Sequence, residues 1–228
     1  HTVAGTVTTV TATTSSITGT SSSITTQAGA ASQLLVATIG NQTAGTGFDV
    51  TVTLADANGN AVNNAGATGT VTLTRKTGTG TLGGVTSGTI AVGSSSVTIS
   101  GVTYTKAETG VELRATGTGD GSSVDAKTKD SNAFNVSAGA ASKYLVSASS
   151  STPVAGSAVT ITAQLADANN NAVATSGQTV TWSKSDSNGT FSAGTSNTDG
   201  NGVATVTLTT HTVAGTVTTV TATTSSIT

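Results

Sequence analysis

The chain has 228 residues, a formal net charge of −2 and only 8% charged side chains. So few charges provide no basic surface for nucleic acid or for anionic lipid. The chain contains no cysteine, which excludes disulfides and thiolate metal sites. It also lacks an apolar run long enough to cross a membrane as a helix, so we expect neither nucleic-acid binding nor membrane insertion.

Residues 1–27 are predicted to be the C-terminal strands of a preceding module, the tail of an earlier repeat. His1–Thr18 recurs letter for letter as His211–Thr228, an offset of 210 residues. Composition alone does not produce such an identity, so we interpret the chain as one period of an array with a short overlap into the next. The alternative is that the segment is a strand exchanged between subunits. The first residues lack the charged-then-apolar pattern of a signal peptide, which favours an interior or mature segment.

A second, degenerate repeat divides the remaining sequence into two modules. Ala28–Ser32 returns as Ala138–Ser142, and Leu54–Val62 returns as Leu165–Val173, at offsets of 110 and 111. We therefore predict module A over residues 28–137 and module B over residues 138–228. The last strand of module B is expected to come from the next repeat or from a neighbouring chain.

Apolar residues alternate with threonine in both modules, which is the period of a strand with one buried face. The alternation runs through residues 48–54 in module A and through residues 159–165 and 204–208 in module B. Clusters of Gly, Asn, Asp and Ser separate these runs, as turns do in a β-sandwich. The predicted fold class is all-β, with tandem β-sandwiches and no helix.

Two positions in module B allow more specific predictions. Trp182 is the only tryptophan and lies at strand spacing, so we expect it to anchor the core rather than to form a ligand platform. Val217 and Val220 cannot share a face of a regular strand, and we therefore predict a β-bulge near Thr218 and Thr219.

Three blocks of module B carry a family resemblance: LADANNNAV at 165–173, QTVTWS at 178–183, and TDGNGVATVTLTTHTVAGTVTTVTA at 198–222. In this order they resemble the immunoglobulin-like modules of bacterial intimins, invasins and very large repeat adhesins. Module A keeps LADANGNAV but has GVTYTKAETGVELRA at 101–115, which is closer to the filamin-like repeats of giant surface proteins. The resemblance implies tandem immunoglobulin-like sandwiches at the cell surface, whereas the fold itself hosts many functions.

Oxygen-bearing side chains alternate in two homologous turns, which makes these turns the candidate metal site. The candidates are Asp56, Asn58 and Asn60 in module A, and Asp167, Asn169 and Asn171 in module B. Their spacing is that of the first half of an EF-hand calcium loop, but no acidic residue follows where that loop needs one. Asp and Asn also build tight turns unaided. We therefore favour turn formation, with calcium binding as the alternative, and predict no other cofactor.

The sequence does not predict catalysis. His1 and His211 are the same position in successive copies, so one period offers a single histidine. That histidine lies in a threonine-rich segment, and the sequence has no nucleophile-elbow pattern of the kind that positions the triad serine in α/β-hydrolases.

We expect a structural role, as a repeat of a secreted or cell-surface bacterial fibre or adhesin stalk whose partners are neighbouring copies of the same repeat. The alternatives are a module that recognises a receptor or glycan through loops such as Thr77–Ser87, and a subunit of a surface-layer lattice. Strands of roughly 7 to 10 residues, with a rise of about 3.3 Å per residue, predict a length of about 40 Å for each module and about 80 Å for each period.

Overall fold

The computed structural model describes residues 1–225, and within them the chain forms 22 β-strands and no helix. The predicted all-β fold class is therefore confirmed. None of the described residues forms a helix that could cross a membrane. The predicted equivalence of residues 226–228 with residues 16–18 lies outside the described residues.

The chain folds into two compact units, each made of several segments. The first unit comprises His1–Gln42, Gly47–Tyr104 and Glu108–Asn135. The second comprises Thr43–Thr46, Thr105–Ala107 and the chain from Val136 onward.

The first residues of the chain form two small sheets on the surface of the first unit. Their strands are β1 (Val7–Thr8), β2 (Thr11–Thr14), β3 (Ile17–Thr20) and β4 (Ile24–Thr25). Strand β1 pairs antiparallel with β4, and β2 with β3. Because the pair β2–β3 lies inside the pair β1–β4, the four strands form one long hairpin. Ile17 and Ile24 of this hairpin are exposed, at 72% and 54% of their surface, because no second sheet covers them among the described residues.

The body of the first unit is a β-sandwich. Its strands are β5 (Gln33–Val36), β6 (Gln42–Thr43), β7 (Phe48–Ala55), β8 (Gly69–Arg75), β9 (Leu82–Gly84), β10 (Ser87–Ile90), β11 (Ser96–Tyr104), β12 (Glu108–Val111), β13 (Leu113–Thr118), β14 (Thr128–Asp130) and β15 (Phe134–Ser137). One sheet has the order β5-β7-β11-β9 and another the order β10-β8-β13-β14. A smaller sheet has the order β12-β15-β6, and the last residues of β6 and β15 (Thr43, Val136 and Ser137) are counted with the second unit. Alternate residues of β7, from Phe48 to Leu54, are buried as the pattern predicts.

The second unit contains a smaller sandwich with the same alternation. Its strands are β16 (Lys143–Ala148), β17 (Ala158–Ala166), β18 (Thr179–Lys184), β19 (Thr190–Phe191), β20 (Thr195–Asn197), β21 (Val203–Thr209) and β22 (Val220–Thr223). The sheets have the orders β16-β17-β21-β19 and β20-β18-β22. Trp182 is buried among the apolar residues of both sheets, and its indole N–H donates to Ser196 Oγ at 2.9 Å. The prediction that it anchors the core is confirmed.

The predicted β-bulge near Thr218 and Thr219 is wrong. Strand β22 begins only at Val220, and Val217 lies before it with its side chain exposed. The Ser185 N–H donates to the Thr219 carbonyl, and the Thr219 N–H donates to Ser185 Oγ. Ser185 therefore lies opposite Thr219, which continues the register of Lys184 opposite Val220 without an extra residue. The apparent phase slip arises because Val217 lies outside any strand.

Candidate functional site

Two homologous turns contain the candidate residues, and each follows a long core strand. We call residues Asp56–Asn60, after β7, the Asp56 turn, and residues Asp167–Asn171, after β17, the Asp167 turn. The backbone bends tightly because the fourth residue of each turn adopts a left-handed conformation, with φ of +84° at Gly59 and +69° at Asn170. Glycine and asparagine are the residues that most readily adopt it.

The Asp56 carboxylate is buried and accepts four hydrogen bonds. The backbone N–H groups of Asn58 and Asn60 donate to Oδ1, each at 2.9 Å. Oδ2 accepts from the Gly29 N–H at 2.8 Å and from the Asn60 side-chain amide at 2.9 Å. The hydrogen bond from the Asn60 side chain and those from the backbone lower the pKa of Asp56 to about 2. The carboxylate is therefore charged and fully paired without any cation.

The Asp167 turn repeats this arrangement. The Asp167 carboxylate accepts from the backbone N–H groups of Asn169, Asn171 and Gly139, and from the Asn171 side-chain amide, at 2.8 to 2.9 Å. Burial raises the pKa of Asp167, but these hydrogen bonds outweigh it and hold the pKa below its ordinary value. The two turns thus use one buried carboxylate in the same way.

The glycine of the repeated Ala-Gly-Ala-Ala-Ser motif reaches the turn in each unit. Gly29 donates to Asp56 and Gly139 donates to Asp167, each at 2.8 Å. The serine that ends the motif donates its backbone N–H to the carbonyl of the last residue of the core strand that leads into the turn. Ser32 donates to Ala55 at the end of β7, and Ser142 donates to Ala166 at the end of β17. The two repeated sequence motifs of each module therefore bind each other.

The last asparagine of each turn also holds a third backbone segment, in an arrangement that we call the amide clamp. The Asn60 side-chain Oδ1 accepts from the Ala4 N–H at 2.9 Å, and its Nδ2 donates to the Thr2 carbonyl at 2.8 Å. In the second unit, Asn171 makes the same two bonds to the Ala107 N–H and the Thr105 carbonyl, each at 2.8 Å. Both donors and the acceptor of each amide are therefore engaged.

Sequence reasoning did not identify the amide clamps. The segments they hold are Thr2-Val3-Ala4 and Thr105-Lys106-Ala107, which share only the pattern Thr-x-Ala. In a chain this rich in threonine and alanine, that tripeptide is too common to be a signal. Its distance along the chain also differs, since Asn60 lies 58 residues from Thr2 and Asn171 lies 66 residues from Thr105.

The six candidate calcium ligands differ in the groups that surround them. Asp56 and Asp167 are surrounded by N–H donors, and Asn60 and Asn171 direct amide nitrogen at them, whereas calcium takes 6 to 8 oxygens. The remaining two candidates are Asn58, which is exposed, and Asn169, which is half-buried. Across residues 1–225 no three His, Cys, Asp or Glu side chains cluster as a metal site would require. Turn formation accounts for the observed contacts, and calcium binding stays a prediction.

The loop over residues 77–87, the candidate recognition loop, is tied to the core at its start. Glu108 Oε1 accepts from the N–H groups of Thr79 and Gly80, and the buried Tyr104 hydroxyl donates to the same oxygen. The hydrogen bond from Tyr104, followed by those from the loop, lowers the pKa of Glu108 to about 2. The first residues of this loop are consequently fixed by a charged acceptor.

An apolar groove of about 720 Å³ opens in the second unit beside β22. Its apolar lining comes from both sheets and includes Val146, Val159, Ile161, Leu208 and Val220. His211 also lines the groove, where its Nδ1 accepts the Val213 N–H at 2.7 Å.

Comparisons with known proteins found similar solved structures only. No protein-family model and no curated protein matches the chain. The chain is similar to the D0–D1 domain of intimin, with 26% identity, 86% of this chain and 93% of that chain covered, and a TM-score of 0.33. It is similar to the Escherichia coli adhesin FdeC, with 25% identity, coverage of 90% and 64%, and a TM-score of 0.36. It is also similar to a glycosyl hydrolase family 2 member from Bacteroides cellulosilyticus, with 17% identity, coverage of 81% and 24%, and a TM-score of 0.37.

Proposed function

We propose that this chain is a structural repeat of an extracellular bacterial surface fibre or adhesin stalk and that it has no catalytic role. The observation that carries the proposal is the use of the buried carboxylate in each unit. Asp56 and Asp167 each accept four N–H bonds and so join the repeated glycine motif to the repeated turn. A buried charge used in this way fixes backbone, and it is not available to a substrate.

The repeat in the sequence supports the same role. Identical segments at 1–18 and 211–228 and homologous motifs at offsets of 110 and 111 describe an alternating pair of modules. Repeat proteins are stabilised by contacts between neighbouring repeats, so the natural partner of this chain is another copy of itself.

The composition suits the space outside a cell. Outward positions of the strands are mostly threonine, whose hydroxyl remains hydrated without adding charge, and the absence of cysteine avoids thiol chemistry. The sequence resemblance to bacterial intimin-type modules favours the same location.

Electron microscopy of a polypeptide that contains three consecutive periods tests the proposal. We expect a linear particle with an axial repeat of about 80 Å, from two sandwiches of about 40 Å each. Separate round particles would contradict the proposal, and two-dimensional sheets would favour a lattice subunit. Binding of the original chain to a glycan array, lost when residues 77–87 are replaced by Gly and Ser, would favour a recognition module.

A further inference from the structure

The two copies of the duplicated segment adopt the same turn. The glycine of each copy has a left-handed backbone, with φ of +80° at Gly5 and +84° at Gly215. The hydroxyl that follows each glycine donates to the carbonyl three residues earlier, at 2.8 Å from Thr6 to Val3 and at 3.0 Å from Thr216 to Val213. The turn at residues 213–216 therefore has the same left-handed glycine and the same side-chain hydrogen bond as the turn at residues 3–6.

In the first copy this turn binds two other segments of the first unit. Asn60 holds the Ala4 N–H and the Thr2 carbonyl through its amide clamp. The Gly5 N–H donates at 2.7 Å to the carbonyl of Thr26, the residue that directly follows β4.

Among the described residues, the equivalent backbone groups of the second copy have no hydrogen-bond partner. Within residues 1–225, the Ala214 N–H and the Thr212 carbonyl make no hydrogen bond, and both residues are exposed. The segment thus presents one donor and one acceptor at the spacing that a side-chain amide engages in the first copy.

Among the described residues, the strand that follows pairs within its sheet on one edge only. Strand β2 pairs with β3 in the first copy, with Thr11 opposite Thr20. The matching strand β22 is an edge strand that pairs only with β18 among the described residues. The apolar groove lies beside it, whereas Ile17 and Ile24 of the hairpin are exposed. The groove and the exposed isoleucines are complementary in chemistry, since each exposes apolar surface that burial would remove from water.

We infer that residues 211–223 are a docking surface for residues 17–60 of a second copy of this chain. Residues 17–20 of that copy extend the sheet along β22, its Ile17 and Ile24 fill the groove, and its Asn60 clamps the Thr212 carbonyl and the Ala214 N–H. This inference rests on the proposed function, because it describes how one period of the fibre joins the next.

Hydrogen exchange on a lengthened chain tests the inference. The full chain is extended after residue 228 by residues 19–137 of a second copy, which continues the repeat in register, so that Ile227 and Thr228 take the places of Ile17 and Thr18 of that copy. We expect the Ala214 amide to exchange at least about 10-fold more slowly in the lengthened chain than in the original chain, because it gains a hydrogen bond.

Matched variants of the added copy assign the effect to the clamp. Asn60→Ala in the added copy should return Ala214 to its original exchange rate. Asn58→Ala, which alters an exposed side chain of the same turn, should leave the protection intact. The amides of the added strand equivalent to β7 must remain protected in both variants, so that unfolding of the added copy is recognised.

Equal exchange of Ala214 in the original and lengthened chains would overturn the inference, as would protection that survives Asn60→Ala. Protection that appears in the original chain as its concentration rises supports the same contact formed between separate chains. A three-period array that is linear while Ala214 remains unprotected would leave the proposed function standing and would refute this contact alone.

Discussion

Replacing Asn171 by alanine tests the amide clamp where it is most buried. Only 9% of the Asn171 surface is exposed, and its side chain makes three hydrogen bonds, to Asp167, Thr105 and Ala107. Alanine removes all three and leaves the backbone N–H bond from residue 171 to Asp167 in place. The variant therefore isolates the side-chain amide.

The expected loss follows from these three bonds. The two bonds to neutral backbone groups contribute about 1 kcal/mol each, and a bond to a carboxylate contributes about 1.5 to 3 kcal/mol. Water that enters the space left by the amide restores part of this lost free energy. We expect Asn171→Ala to lower the free energy of unfolding of the second unit by about 2 to 4 kcal/mol.

Fluorescence of Trp182 measures this unit specifically, because it is the only tryptophan and lies in the second core. In urea the midpoint should fall by about 1 to 2 M for a unit of this size. The matched control is Asn60→Ala, which removes the equivalent clamp in the first unit and should leave the Trp182 transition within about 0.5 kcal/mol of wild type. An Asn171→Ala midpoint equal to that of wild type would refute the energetic role of the clamp.

Three further predictions address the backbone, the charge and the metal. Gly202→Ala should destabilise the second unit by about 2 kcal/mol or more in the same fluorescence assay, because residue 202 has φ of +76° and a Cβ would lie 1.9 Å from the Val173 carbonyl oxygen. Gly200→Ala, which meets open space, should change it by less than about 0.5 kcal/mol. The pKa of Asp56 is about 2 in the folded chain, against an ordinary 3.8, so its contribution to the free energy of unfolding is present above pH 3.8 and is lost as the pH falls towards 2. Calorimetry should show a loss of stability of the first unit in this range, and Asp56→Asn should make that loss smaller without abolishing it, because the pKa of Glu108 in the same unit is also lowered to about 2. Calcium at about 5 mM should leave both calorimetric transitions unchanged, since N–H donors already occupy the carboxylates of Asp56 and Asp167, and a calcium-dependent rise would show that the turns bind the ion.

The sequence was sufficient to predict the strands and the turns because both depend on neighbours along the chain. Alternation placed Phe48–Leu54 on one buried face, and the Asp-x-Asn pattern marked both turns. The amide clamps could not be predicted in the same way. Asn60 binds a segment 58 residues earlier, and whether a given Thr-x-Ala lies near enough depends on the whole sandwich.

The duplicated segment separates these two kinds of information within one molecule. The turn around Gly5 and Gly215 is the same in both copies, because its hydrogen bonds lie within a few residues. The strand that follows is not the same, since Ala12 is exposed in a hairpin whereas Ala222 is buried against β18. A strand takes its environment from the partner that pairs with it, and one sequence therefore occupies two environments. In a repeating polypeptide the turn can therefore form before the neighbouring copy is in contact with it. The pairing of the strand that follows then depends on that neighbouring copy.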